Sequence, residues 1–333
     1  ISLIAQIHEY KGRQEVYLKQ KPEELNKLVE IAKRQSTEAS NAIEGIRTTN
    51  ARLKELCEEK TTPKNRDEEE ILGYRDVLNT IHENYEYIPI KTNYILQLHR
   101  DLYKYTEKSI GGHFKISQNV IAAIDRNGKE YILFTPLAPY ETAPAMDAIC
   151  ESYNKMIEND ELDAILLIPI FIHDFLCIHP FSDGNGRMSR LLTALLLYRS
   201  GYVVGKYISI ESKIANNKDL YYKALEDCQS GWYDNDEDVT PFVKYMLRII
   251  LAAYRDFEER VELLSEKLPA KEIVRRAIYS KMGKLSKSDI SELCPSIGVK
   301  SVELALKQLV DEGVLEKKGL GRATFYIRKD INL

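Results

Sequence analysis

His179, Asp183, Asn185, Arg187 and Arg190 fall within twelve residues, His-Pro-Phe-Ser-Asp-Gly-Asn-Gly-Arg-Met-Ser-Arg. His179 is the one group among them whose proton moves near neutral pH. Asp183 is a hard oxygen ligand suited to a Mg2+ that bridges phosphates. Arg187 and Arg190, three apart, lie near one face of a helical first turn and can grip phosphate oxygens in pairs. Gly184 and Gly186 lack a Cβ, so the backbone can turn sharply and come close to a ligand. Apolar segments flank the stretch, Ala164–Ile178 before it and Leu191–Tyr198 after it, and both read as buried helices. The loop is therefore fixed at both ends and opens onto a helix N-terminus, whose free N–H groups and partial positive charge form a site for phosphate. A base, a metal ligand and an anion cradle are the parts that phosphoryl or nucleotidyl transfer requires.

Other chemistries fit the residues less well. No Gly-x4-Gly-Lys-[Ser/Thr] is present, which excludes a P-loop. A metal site built from His173, Asp174, Cys177 and His179 is conceivable but lacks a second ligand pair at zinc spacing. The 333 residues suffice for two or three domains, and the net charge of −4 does not mark the whole chain as a nucleic-acid binder. Five cysteines at 57, 150, 177, 228 and 294, without a CxxC, point to a reducing compartment rather than a disulfide framework. The longest apolar run, Ala164–Ile172, is too short to span a bilayer, and the first residues lack a signal-peptide plan. A cytoplasmic location without membrane attachment is expected. The opening Ile rather than Met reads as a trimmed chain.

The elements that must position the loop are mainly helical. Residues 1–60 read as helices, with Leu25, Leu28, Val29 and Ala32 at helical spacing and Pro22 in a first turn. Ser40 and Glu44 stand one turn apart and can hydrogen-bond, with Gly45 as helix stop. Glu68–Ile88 and Lys91–Tyr103 are amphipathic, and Gly111-Gly112 breaks the helical run. Two apolar stretches around Asn127-Gly128 predict a β-hairpin over about Ile121–Pro136, whose exposed edge could hold an extended peptide. Helices follow at 141–160, 163–177, 216–229 and from Thr240 to Leu264. The acidic stretch Trp232–Asp238 reads as a solvated loop.

The twelve residues also carry a resemblance. They match, at every defined position, the signature His-Pro-Phe-x-[Asp/Glu]-Gly-Asn-Gly-Arg-x-x-Arg of the Fic (filamentation induced by cAMP) family. The resemblance implies a helical bundle with a β-hairpin flap, and transfer of AMP from ATP to a Tyr, Thr or Ser hydroxyl of a target protein. It implies His179 as general base, Asp183 as the Mg2+ ligand, and Asn185 with the backbone of Gly184, Gly186 and Arg187 on the α- and β-phosphates. Arg187 and Arg190 would steady the phosphate chain. Leu133 and Phe134 of the flap, Tyr221 and Gln229 would lie near the nucleotide. Ser40-Asn-Ala-Ile-Glu44-Gly is similar to the family's inhibitory-helix motif, which implies that Glu44 pairs with Arg190 and holds ATP in an unproductive pose. In some relatives the same Glu helps remove AMP. Lys115 stands where the family often has Arg, a departure that keeps charge and loses the planar fork.

Leu268-Pro269 marks a boundary, after which 13 basic face 8 acidic side chains over 270–330. Helices at 270–281, 286–293 and 298–312, then short apolar runs at Val314–Glu316 and Thr324–Ile327, resemble a winged-helix domain. Its recognition helix would be 298–312, with Lys317, Lys318 and Arg322 on the wing. DNA binding and protein docking both stay open. The expected domains are a helical region at 1–105, a core at 106–267 and a winged helix at 268–333. Two further readings compete with protein adenylyltransfer. One is a DNA-binding regulator whose Fic part senses nucleotide; the other transfers a different group. A homodimer is left open.

Overall fold

The computed structural model describes residues 2–20, 22–107, 110–124, 130–265, 268–281 and 283–329. Among these the protein is mainly α-helical, with fourteen α-helices and five short strands. Contacts divide the chain into two compact units: Ile1–Lys11 with Ala32–Ala253, and Gly12–Ile31 with Tyr254–Leu333.

The helices of the first part of the chain are α1 (Ser2–Gln20), α2 (Pro22–Ile43), α3 (Asn50–Cys57), α4 (Arg66–Asn84) and α5 (Thr92–Leu102). The hairpin strands β1 (Ile121–Ile124) and β2 (Glu130–Phe134) follow, then α6 (Pro139–Glu158), α7 (Ala164–Ile178) and α8 (Asn185–Arg199). Next come α9 (Ile210–Asn216), α10 (Lys218–Cys228) and the long α11 (Thr240–Ser265). Helix α8 is buried along almost its whole length, from Asn185 and Arg187 to Tyr198. A helix with no solvated face is a core element. Helix α7 packs on one side of it and α4 on another, while α6 lies on α7 and α5 on α4. Phe175, Phe181, Leu191 and Leu195 are almost entirely excluded from solvent where α7 and α8 meet. The loop joining α7 to α8 therefore starts and ends on buried helices.

Local sequence explains the helix ends. Thr49 caps α3, and Asn65 caps α4 by accepting from the Glu68 N–H. Asp67, Glu68 and Glu69 in the first turn of α4 complement its dipole. The contact of α4 with α5 is close because position 73 is glycine: a Cβ there would overlap the Leu102 backbone. Gly73→Ala is accordingly expected to lower the unfolding free energy by about 1–3 kcal/mol, the range for forcing extra volume into a packed contact. Denaturant unfolding with unchanged m-value checks this.

Strands β1 and β2 pair antiparallel, with Ile121 opposite Phe134, Ala122 opposite Ile132, and an irregularity between Ile121 and Ala122. The expected Asn127-Gly128 turn lies outside the described residues.

In the second unit, Gln14 and Tyr254 are hydrogen-bonded at 3.1 Å, and Glu258 accepts from Tyr17 and pairs with Arg13. Its C-terminal part holds α12 (Ala270–Tyr279), β3 (Leu285–Ser286), α13 (Lys287–Leu293), α14 (Val299–Asp311), β4 (Leu315–Lys318) and β5 (Phe325–Arg328). Its core is aliphatic, with Ile273, Val274, Ile278, Ile290, Val302, Leu306, Leu309 and Leu315. The strands form one antiparallel sheet in the order β3-β5-β4. Strand β3, two residues long, is too short to leave a periodic signal in sequence. Lys317 and Lys318 are exposed, and the Arg322 side chain lies outside the described residues. On α14, Glu303 holds Lys287 at 2.7 Å and Leu304 is exposed. No helix among the described residues is long and apolar enough to cross a membrane.

Candidate active site

Helix α7 ends at Ile178, and His179 takes left-handed backbone angles, φ 50° and ψ 61°. That conformation is rare for a residue with a Cβ, and it swings the chain out of the helix at this point. The His179 N–H still closes the last turn on the Phe175 carbonyl at 2.9 Å. The ring's Nδ1 lies 3.2 Å from the Leu176 carbonyl oxygen. A carbonyl can only accept, so Nδ1 carries the hydrogen and Nε2 carries the lone pair. Burial pulls the pKa down to about 4, with the Lys115 charge acting in the same direction and the Leu176 carbonyl and Glu44 opposing. His179 is thus a neutral imidazole with a basic Nε2 at physiological pH.

Gly184, also left-handed at φ 84°, caps α8. A Cβ there would press on Tyr103 and Leu102. The helical ladder begins with the Met188 N–H on the Gly184 carbonyl at 2.8 Å. The N–H groups of Asn185, Gly186 and Arg187 therefore have no intrahelical acceptor and form an anion cradle. The Asn185 side chain does a different job from the phosphate contact expected of it. Its oxygen accepts from the Phe181 N–H at 2.9 Å, and its nitrogen donates to the Phe181 carbonyl at 2.7 Å. Both ends of the amide brace the loop, and Asn185 also lines the cavity.

Arg187 and Arg190 are both buried, at 1% and 3% exposure. From Arg187, Nη2 reaches Glu70 at 2.8 Å and the Tyr103 hydroxyl at 2.7 Å. Its Nε and Nη1 have no hydrogen-bond partner among the described residues. Two donors of this buried guanidinium are thus left unsatisfied by the described protein atoms. Glu70 is held on its other oxygen by Arg66 at 2.7 Å. From Arg190, Nε donates to the Ser40 hydroxyl at 2.8 Å, while Nη2 donates to the Ser40 carbonyl at 3.0 Å and to Glu44 at 2.8 Å. The structure joins Ser40 and Glu44 through Arg190. Helix α2 is seated by a second contact one turn earlier: Ser36 donates to the buried Glu211 at 2.6 Å, and Tyr74 donates to the same carboxylate. Lys218 satisfies the Ile43 carbonyl at the C-terminus of α2 at 2.6 Å.

Asp183 accepts from the Gly184 N–H at 2.7 Å, and its side chain is 40% exposed with Arg66 and Arg187 each 3.9 Å away. Among the described residues no three His, Cys, Asp or Glu side chains gather as a metal cage. The zinc reading disperses accordingly: His173 faces Cys177 at 3.6 Å, and Asp174 accepts from the Trp232 indole N–H at 2.9 Å. Asp183 alone fits a cation whose other ligands are phosphate oxygens and water.

A cavity of about 250 Å³ collects these groups. Its wall includes His179, Asp183, Gly184, Asn185, Gly186, Arg187, Arg190, Glu44, Tyr221, Gln229 and Leu133. Phe134 is not on that wall, contrary to expectation. It packs on Trp232 and Tyr233 with ring centroids 6.2 and 5.9 Å away. Successive residues of a strand face opposite sides, so Leu133 and Phe134 could not both meet one ligand. The 232–238 stretch, expected as a solvated loop, uses its two aromatics to hold this end of the hairpin.

Several contributing residues carry no sequence signal. The His99 Nε2 donates to the Asp183 carbonyl at 3.0 Å, and its Nδ1 accepts from the Gly112 N–H at 3.0 Å. Both bonds require the neutral ring, which is stacked on Phe181 with centroids 3.7 Å apart. Lys115, buried and pulled down to about 8 by that burial, is not on the cavity wall either.

The three buried histidines and the cavity-lining His179 make a prediction about stability. Burial lowers His82 to about 3, and His99, His173 and His179 each to about 4. Between those values and the ordinary 6.5, the unfolded chain binds protons that the folded one refuses. Stability therefore rises with pH across that window and falls on acidification through it, by up to about 1.4 kcal/mol per pH unit for each histidine. Chemical denaturation between pH 7 and 4.5 checks the slope; a flat profile would refute it.

Comparison with known proteins follows the same residues. Positions 89–197 match the Fic/DOC family model. The chain is 28% identical over 236 residues to a protein adenylyltransferase Fic of Drosophila yakuba, covering 68% of this chain and 43% of that protein. It is 27% identical over 192 residues to protein adenylyltransferase fic-1 of Caenorhabditis briggsae, covering 55% and 32%. The chain thus spans less than half the length of these two relatives. The fold is similar to a Fic family protein from Desulfovibrio desulfuricans, at TM-score 0.61 and 21% identity over 100% of this chain and 96% of that one. It is also similar to a Fic domain containing signaling protein from Bacteroides thetaiotaomicron, at TM-score 0.65 and 24% identity over 77% and 97%.

Proposed function

We propose that this chain, which carries a Fic/DOC family domain at residues 89–197, transfers AMP from ATP to a hydroxyl side chain of a target protein. The observation that supports this most is the convergence on one cavity of a neutral imidazole, the first-turn N–H groups of α8 and two buried guanidiniums. Relatives named as protein adenylyltransferases support the same reading.

The proposed chemistry follows from the groups. The triphosphate lies against the N-terminus of α8, beside the cavity-lining Arg187 and Arg190. The flap formed by β1 and β2 holds an extended target segment by its strand edge. The lone pair on Nε2 of His179 takes the hydroxyl proton, the hydroxyl oxygen bonds to the α-phosphorus, and the bond to the leaving pyrophosphate breaks. A Mg2+ on Asp183 would neutralise phosphate charge. Tyr221, 3% exposed beside Arg190, and Gln229 would flank the nucleoside. Glu44 occupies the Arg190 guanidinium that a terminal phosphate would use, so the resting chain is autoinhibited. The same carboxylate could position water for AMP removal in the reverse sense of the cycle.

Incubation with ATP labelled at the α-phosphate tests the proposal. Label should pass to protein, and γ-labelled ATP should give none. Competition by other nucleotides decides between AMP and a different transferred group, since the cradle contacts phosphates rather than a base.

The regulator reading draws on the basic excess of 270–330 and on the exposed Lys317 and Lys318. The Glu303–Lys287 pair and exposed Leu304 on α14 weaken it, because they leave that helix few cations for phosphates. Salt-dependent, sequence-selective DNA binding without transfer would favour it.

A further inference from the structure

Four consecutive carbonyls of the loop that carries His179 are taken by two side chains and one N–H from the stem of the flap. Lys115 Nζ donates to the Ile178 carbonyl at 3.0 Å, and the Lys115 N–H donates to the Pro180 carbonyl at 2.9 Å. Asn119 Nδ2 donates to the His179 carbonyl at 3.4 Å and to the Phe181 carbonyl at 3.1 Å. Lys115 also donates to Asn119 Oδ1 at 2.9 Å, which locks the two side chains together. Gln118, between them, donates to the Pro136 carbonyl at 2.8 Å and so ties the outgoing stem of the hairpin to the incoming one. Lys115 is 2% exposed and faces carbonyls rather than the cavity.

We propose that Lys115 and Asn119 are positioning residues that weld the flap to the His179 loop, so that the strand edge holding the target and the Nε2 that takes its proton form one rigid frame. The inference rests on the transferase reading and adds to it the element that sets the distance between acceptor hydroxyl and base. Four carbonyls capped in series leave the loop no neighbouring register. A buried ammonium is not there for general packing, because burying it costs free energy that an apolar side chain would not. Arg at this position could still reach the same carbonyls, whereas Met fills the volume without donating.

The test compares Lys115→Met, Lys115→Arg and Asn119→Ala in a Glu44→Gly background, with α-labelled ATP and full-length chain. The expected result for Lys115→Met is a loss of about 100-fold in kcat, the order produced by a misplacement near 1 Å, with KM for ATP unchanged. Asn119→Ala should lose kcat in the same manner, and Lys115→Arg should recover most of it. Equal kcat in Lys115→Met and the parent, parallel loss of kcat and ATP affinity, or no rescue by Arg overturns the inference. Hydrogen–deuterium exchange decides it without any transfer. The amides of His179 and Phe181 should exchange faster in Lys115→Met while those of α7 and α8 do not, and unchanged protection overturns the clamp. A Glu44→Gly parent that transfers nothing counts against the transferase reading instead, and the exchange measurement still judges the clamp.

Discussion

Glu44→Gly is expected to raise the transfer of label from α-labelled ATP by about tenfold or more. The carboxylate sits 2.8 Å from Arg190, and its side chain is one-third exposed. A hydrogen bond to a charged group contributes about 1.5–3 kcal/mol net, and partial solvent screening favours the lower figure. Removing that contact lets the productive pose of the nucleotide compete on equal terms, which is about an order of magnitude in population. The fold should tolerate the change, because Ser40 still accepts from the Arg190 Nε and Ser36 still anchors α2 on Glu211. A Glu44→Gly protein that melts normally yet labels no better than the parent would remove the inhibitory role.

The second large effect is the loss of that gain when His179 becomes Ala. General-base removal is worth about a hundred- to ten-thousand-fold, so labelling in Glu44→Gly/His179→Ala should fall to background. Calorimetric binding of magnesium nucleotide should survive, since the α8 N-terminus, Arg187 and Arg190 are untouched. Retained transfer would assign the proton to another acceptor. Loss of both transfer and binding would mean that the imidazole supports the cavity rather than the reaction.

What sequence could and could not foresee divides along chain distance. His179 to Arg190 are contiguous, and a helix–loop–helix that carries both a base and a cradle is readable from residue types alone. Ser40 and Glu44 are similarly local, but their meeting with Arg190 crosses about 150 residues and was legible only through resemblance. Glu70 and His99 sit on helices, and Tyr103 just past the end of α5, where a polar residue facing the core looks like any other; they hold Arg187 and Asp183 in place. Lys115 looked like a conservative change at a cationic position, while the structure uses it as a donor to backbone. Asn185 was placed on phosphate by the resemblance. The tight loop after a left-handed His179 needed that amide more. Helices such as α5, α7, α10 and α11 were foreseen within a few residues because apolar periodicity marks them, whereas the short α9 was not foreseen. The two-residue β3 has no period to detect.

Gly186 has a consequence for anyone engineering this site. A methyl group on its Cα would overlap the Glu44 carboxylate, and the same bare surface is where an anion would rest on the first turn of α8. One vacant hydrogen-sized niche thus serves two mutually exclusive occupants. A library randomised at this codon and selected for output should therefore return mostly the parent.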